Sequence, residues 1–188
     1  MLTLSFTPFP ILESNRLLLR AVTFDDINEI MELRGNPETM KFIPRPLVTS
    51  LEMALEHVAM ITEKIESNTG INWGITLKGN PKLLGVIGHY RIQPENFRSE
   101  IGYMILPKYQ NKGITSEAIN MVLDYGFNVL NFHSVEGVID PENYASAKVL
   151  EKNGFVKEAH FVENVFWDGQ FLDSVIYTLL KRNFKKQK

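Results

Sequence analysis

The chain contains no cysteine. That excludes disulfides, thiolate metal sites and a cysteine nucleophile, and it fits a reducing compartment. Excess charge is missing as well: 20 Lys and Arg stand against 22 Asp and Glu, a net charge of −2. No global field therefore draws nucleic acid or a membrane surface, and neither is expected as a partner. No apolar run approaches the ~18 residues that a membrane helix needs. The opening MLTLSFTPFPIL has no basic segment before its apolar residues and carries two prolines, so it reads poorly as a signal peptide. A cytoplasmic protein is the expectation. Four histidines (57, 89, 133 and 160) are scattered without ligand spacing, and no metal is expected. Neither a GxxxxGK[ST] phosphate loop nor a GxGxxG fingerprint is present, and no Ser-His-Asp set sits in an elbow.

What is there suits one domain over residues 1–188, with a core at about 13–181 and a short basic tail, KRNFKKQK, read as a solvated terminus. RLLLRAV suits a strand, and TFDDINEIMELRGN a helix capped by Thr23 or Asp25. After a proline-broken loop, Ser50 caps a helix to about Ser67 with an apolar stripe of Leu51, Leu55, Val58, Ile61 and Ile65. INWGITLK, LLGVIGHYRI and RSEIGYMIL then read as an antiparallel meander. GITSEAINMVLDYGFNVLNF is a long helix whose wide apolar arc calls for burial against a sheet. HSVEGVID is a strand, and NYASAKVLEKNGF a helix closed at Asn153-Gly154. Two final strands near 155–166 and 171–181 are split by the turn WDGQ. The order β-α-α-β-β-β-α-β-α-β-β describes an α+β domain with a strand–helix–strand crossover in its second half.

YQNKGITSEA, at the junction that opens this crossover, admits two readings. It is a helix start with a Ser or Thr cap, or an anion site built from amides at the helix N-terminus. Asn143 and Ser146 lie one helical turn apart and share a face. Asn143 caps that helix or binds a ligand. Glu100 alternates onto the face of Gly102 and Met104 and is a candidate base; His89 and His133 are rivals for that role. Trp73, Phe42 and Trp167 are core residues or pocket walls.

QNKGIT resembles the Q/R-x-x-G-x-G/A pyrophosphate loop of the GNAT superfamily of N-acetyltransferases. EIGYMILPKYQNKGITSEA, NYASAKVLEKNGF, WDGQFLDSVIYTLL and ESNRLLLRAVTFDD are similar, in the right order, to signatures of its RimJ/RimL-like branch. The resemblance implies a mixed, mostly antiparallel twisted sheet of about six to seven strands with helices on both faces. It implies acetyl-CoA as co-substrate and direct transfer onto a primary amine, either a protein N-terminus such as that of a ribosomal protein or a small molecule. Backbone amides at Gln110, Asn111, Lys112, Gly113, Ile114, Thr115 and Ser116 would hold the pyrophosphate. Backbone groups of Met104, Ile105 and Leu106 would pair with the pantetheine arm, Asn143 would lie against it, and Ser146 would protonate the leaving thiolate. Thr115 departs from the pattern, which prefers Gly or Ala there. The rival reading is a non-catalytic acetyl-CoA-binding sensor or scaffold; a monomer or homodimer fits either.

Overall fold

Turn residues divide the apolar runs of this chain into eight strands of one sheet, in the order β1-β2-β3-β4-β5-β6-β8-β7. The structure, a computed structural model, describes residues 1–186; the last two tail residues, Gln187 and Lys188, lie outside the described residues. The strands are β1 Leu12–Glu13, β2 Leu17–Ala21, β3 Ile71–Leu77, β4 Asn80–Gln93, β5 Arg98–Ile105, β6 Ser134–Ile139, β7 Val156–Trp167 and β8 Gln170–Leu180. All neighbours pair antiparallel except β5 and β6, which are parallel and joined by the crossover. The sequence led to six or seven strands. The extra one, β1, is two residues long and pairs Leu12 with Leu19, too short to show as an alternating run.

Five α-helices form among the described residues: α1 Ile27–Arg34, α2 Pro37–Met40, α3 Leu51–Glu66, α4 Ile114–Asn128 and α5 Tyr144–Lys152. Thr23 and Asp26 form a capping box on a 3-10 turn that leads into α1. Ser50 accepts the Met53 N–H at the start of α3. The short α2 was not anticipated, although Asn36 caps it and Pro37 fills its first turn, a combination that suits a helix start. In α3 the buried stripe is Ala54, Val58 and Ile61, whereas Leu51 and Leu55 are 55% and 37% exposed. Ala54 is small, so it lets the helix approach the sheet, and the contact face turns away from the two leucines.

Helices cover both faces. On one, Val22, Ile30, Leu33, Val58, Ile61 and Val86 join α1 and α3 to the sheet. On the other, Trp73, Ile87, Ile101, Ile119, Leu123 and Phe127 pack under α4, with Leu150 of α5 in the same cluster. Gly126 makes the α4 contact close, since a Cβ there would stand 2.7 Å from the His89 Nε2. At the far edge the β7–β8 hairpin leaves Phe161, Val162, Phe166 and Phe171 exposed.

The feature that positions a site is a split in the sheet. β5 and β6 are in register only from Arg98–Ser134 to Glu100–Glu136. Beyond that point β5 runs on along β4 to Ile105, and β6 follows β8 to Ile139, so the two strands part.

Candidate active site

The loop between β5 and α4 runs through a 3-10 turn at Pro107–Tyr109 and then Gln110 to Gly113. Asn111 and Gly113 take positive φ values of 58° and 74°, which turn successive amides toward one side. Gly113 is the N-cap of α4 and no side chain caps the helix. The first helix-type bond is Glu117 N–H to the Gly113 carbonyl, which leaves the amides of Ile114, Thr115 and Ser116 without helical partners. The Ser or Thr cap is therefore not formed. The Ser116 hydroxyl is buried and exchanges hydrogen bonds with the Asn153 amide at 3.0 and 3.3 Å. Its side chain ties α4 to the end of α5, and only its backbone faces the loop. Arg16 braces the same turn, donating from Nε to Glu117 at 2.8 Å and from Nη1 to the Lys112 carbonyl at 3.3 Å.

The edge of β5 left bare by the split has a defined polarity. Leu106 N–H donates to the Leu84 carbonyl at 2.9 Å. Antiparallel alternation then commits the main-chain groups of Met104, Gly102 and Glu100 to β4. Those of Tyr103 and Ile105 point to the open edge, as does the Ile101 carbonyl, while the Ile101 N–H is engaged by the last parallel pairing with β6. Of the three residues expected to meet a ligand through their backbone, Ile105 offers its groups there, while the amides of Met104 and Leu106 are spent on β4. The Ile105 carbonyl receives only a long 3.5 Å contact from Gln110 Nε2. Tyr103 spans the split, its phenol donating to the Ser146 carbonyl at 3.5 Å. Burial pushes that phenol up to about 12, so it stays protonated.

Across the split, the Asn143 side chain accepts the Ser146 N–H at 3.1 Å and caps α5. Capping uses the Asn143 carbonyl oxygen and leaves its amide donors without a protein partner among the described residues. The Ser146 hydroxyl, half-buried, likewise makes no hydrogen bond among the described residues. Glu100 lies on the other face of the sheet, with Gly102 and Met104, as its alternation required. Glu100 and Ser146 thus approach the split from opposite sides. Burial raises the Glu100 carboxyl above its ordinary value, against the opposing charge and hydrogen bond of Arg91 at 2.6 Å.

His89 is not placed to act as a base. It is fully buried, with Nε2 on the Val122 carbonyl at 3.1 Å and Nδ1 on the Ser99 hydroxyl at 2.9 Å. A carbonyl only accepts, so Nε2 carries the proton and Nδ1 accepts from Ser99. Trp73 is fully buried and donates to the Pro10 carbonyl at 2.7 Å; it is core. Sequence reasoning passed over Arg34, Asn72 and Tyr90, which line the Glu100 face. Tyr90 and Asn72 sit within runs that read only as strand, and their shared face appears once the strands are in register. Among the described residues no group of three or more His, Asp or Glu could hold a metal ion, and no helix is long and apolar enough to cross a membrane.

An uncapped helix N-terminus beside a parted pair of parallel strands matches a known domain architecture. The family model described as "Acetyltransferase (GNAT) domain" matches residues 16–156. The chain belongs to the GNAT acetyltransferase family. It is therefore an enzyme of the N-acetyltransferase class. The uncharacterized N-acetyltransferase YoaA of Bacillus subtilis is 32% identical over 92% of this chain and 98% of its own length. The crystal structure of a GNAT-family acetyltransferase from Bacillus anthracis superposes with a TM-score of 0.82 at 29% identity, covering 92% of this chain and 99% of that one. The spermidine N-acetyltransferase of Vibrio cholerae, solved in complex with CoA and spermine, gives a TM-score of 0.79 at 27% identity over 90% and 98% of the two chains.

Proposed function

We propose that this GNAT enzyme moves an acetyl group from acetyl-CoA directly to a primary amine, with both substrates bound at once. The observation that carries the reading is the uncapped N-terminus of α4 facing the parted β5 edge. Orphan amides at Ile114, Thr115 and Ser116, with those of Asn111, Lys112 and Gly113 in a loop turned by two positive-φ residues, fit a pyrophosphate, whereas the Gln110 amide is spent on the Pro107 carbonyl at 3.1 Å. The free main-chain groups of Tyr103 and Ile105 fit the amides of a pantetheine arm in the manner of an added strand. Of the neighbours first expected in this role, Met104 and Leu106 pack their side chains into the cluster under α1 and α3. The Asn143 amide group is free to donate from the α5 side. Acetyl-CoA supplies an activated acyl thioester.

With no cysteine in the chain, no thiol can carry the acetyl group, so the amine receives it directly. The new C–N bond forms as the C–S bond breaks. The nitrogen sheds one proton and the sulfur gains one. Glu100, buried enough to hold a raised pKa, takes the proton from the amine. The unpartnered Ser146 hydroxyl gives one to the departing thiolate. The Vibrio cholerae relative acts on spermidine, which makes small amines a natural first panel, beside protein N-termini. Mixing the enzyme with acetyl-CoA and pooled primary amines should release CoA. Tight acetyl-CoA binding with no release against any amine would instead assign a sensor or scaffold.

A further inference from the structure

The charges around Glu100, taken together with the acetyl-transfer reading on which this inference rests, point to a class of acceptor. Strand register places Asn72, Tyr90, Glu100 and Gly102 on the sheet face of α1 and α3. The Tyr90 ring lies against Gly102, where a Cβ would stand 2.8 Å from its Cε2, and the Asn72 amide donates to the Tyr90 phenol. Arg34, the last residue of α1, acts electrostatically on Tyr90 and on His57 of α3. Arg45, in the loop between α2 and α3, acts on both Arg34 and Glu100.

The two carboxylates of this face already have partners. Glu100 pairs with Arg91 at 2.6 Å, and Glu136 pairs with Arg98. Arg34 has no carboxylate partner among the described residues. Its Nε is buried without a hydrogen-bond partner, as is the Asn72 Oδ1. Neither neighbour supplies the missing negative charge. Burial pushes Tyr90 up to about 12 and, with the Arg34 and Lys64 charges, holds His57 down to about 4, so both are neutral near pH 7. Arg45 is also without an ion pair among the described residues and adds a second positive charge. A half-buried, unpaired guanidinium is costly unless something completes it.

We propose that the acceptor is a primary amine that also carries an oxyanion, a carboxylate or a phosphate, which Arg34 and Arg45 hold while Glu100 faces the amine. A guanidinium fork takes either oxyanion through paired N–H donors. A polyamine would bring further positive charge to two unpaired arginines, and a neutral amine would leave Arg34 uncompensated.

The test is calorimetric binding to the CoA-loaded enzyme, with CoA release measured in parallel from acetyl-CoA. Four kinds of probe are compared: the common amino acids for the carboxylate, phosphoethanolamine for the phosphate, ethanolamine as a neutral control, and spermidine. At least one anionic amine should bind about 10-fold or more tightly than ethanolamine and spermidine, and the arm that wins identifies the oxyanion. Arg34→Gln should cut that margin by roughly 10- to 100-fold, and Arg34→Lys should recover part of it. If Arg34→Gln fails to fold by circular dichroism, Arg45→Gln in the exposed loop must reduce the same margin. Spermidine or ethanolamine binding as well as the best anionic amine would overturn the inference. So would an arginine substitution that weakens every probe equally. Anionic preference in binding without CoA release would uphold the anionic amine as the ligand of the arginines while removing the transfer reading; acetylation of spermidine alone would do the reverse.

Discussion

At the scale of single residues, the proposed transfer uses two side chains, Ser146 and Glu100, and leaves out a third, His89. Ser146 has a free hydroxyl beside the split, and its backbone, not its side chain, carries the α5 cap. Ser146→Ala should therefore cost less than about 1 kcal/mol in stability. kcat should fall roughly 10-fold or more while the acetyl-CoA dissociation constant barely moves. Weaker binding at constant kcat would make Ser146 a cofactor contact instead. Glu100 has a folded-state pKa above its unfolded one, so the fold favours its protonated form. Any stability linked to it is present at low pH and lost as pH rises through the raised pKa. Glu100→Gln should accordingly leave the melting temperature unchanged or higher, while kcat drops by about 10²-fold or more. A variant of full activity would move the base elsewhere.

His89 shows the opposite sign. Burial lowers it from 6.5 to about 4, with the Val122 bond opposing. Its contribution to stability is present above about pH 6.5 and is lost as pH falls toward 4, amounting to roughly 3 kcal/mol. His57, lowered to about 4 as well, steepens the same slope. Melting temperature followed from pH 7 to 4.5 should fall, and His89→Gln should flatten the curve. An NMR titration that finds His89 protonating near 6.5 would contradict its placement in the core. His89 sits in an apolar strand between Ile87 and Ile101 partners, and nothing in its sequence neighbourhood separates a buried imidazole from a reactive one.

At the scale of elements, the sequence located nearly every strand and helix but misjudged how two of them meet their surroundings. Ser50, Gly154 and the Asp168-Gly169 turn act where local chemistry put them. Local chemistry also suggested Thr115 or Ser116 as the cap of α4, and there the tertiary structure overrode it. Ser116 is drawn inward by Asn153, and Gly113 takes the cap position in a left-handed conformation. The helix start is thereby left open, which is what an anion site needs. A Cβ at Gly113 would meet only the Arg16 Nη2, at 3.6 Å, so space does not require glycine there; its φ of 74° does. Gly113→Val should cost about 1–2 kcal/mol through backbone strain. It should also weaken acetyl-CoA binding about 10-fold or more, by turning the loop amides away from the phosphates. A folded Gly113→Val protein with wild-type affinity would show that the loop merely starts the helix.

At the scale of the whole molecule, the crossover and the meander were legible from hydrophobic period, and the resemblance to the family added helices on both faces. The parting of β5 from β6 was not legible. It depends on β6 following β8 rather than β5 beyond Glu136, through pairs that are 36 or more residues apart in the chain, the nearest being Ile139 with Val175. The register of the β3–β4–β5 meander, with α1 packed on it, brings Arg34, Asn72, Tyr90 and Glu100 to one face from four separate elements, so no single local motif announces them. The split and the uncapped helix form one claim: together they bind acetyl-CoA. Titration of acetyl-CoA into the enzyme, by calorimetry and by thermal melting, tests it most directly. One molecule should bind per chain and, near a hundredfold excess over the dissociation constant, give about 2.7 kcal/mol of stabilisation, seen as a melting temperature several degrees higher. No heat and no shift at millimolar acetyl-CoA would contradict it.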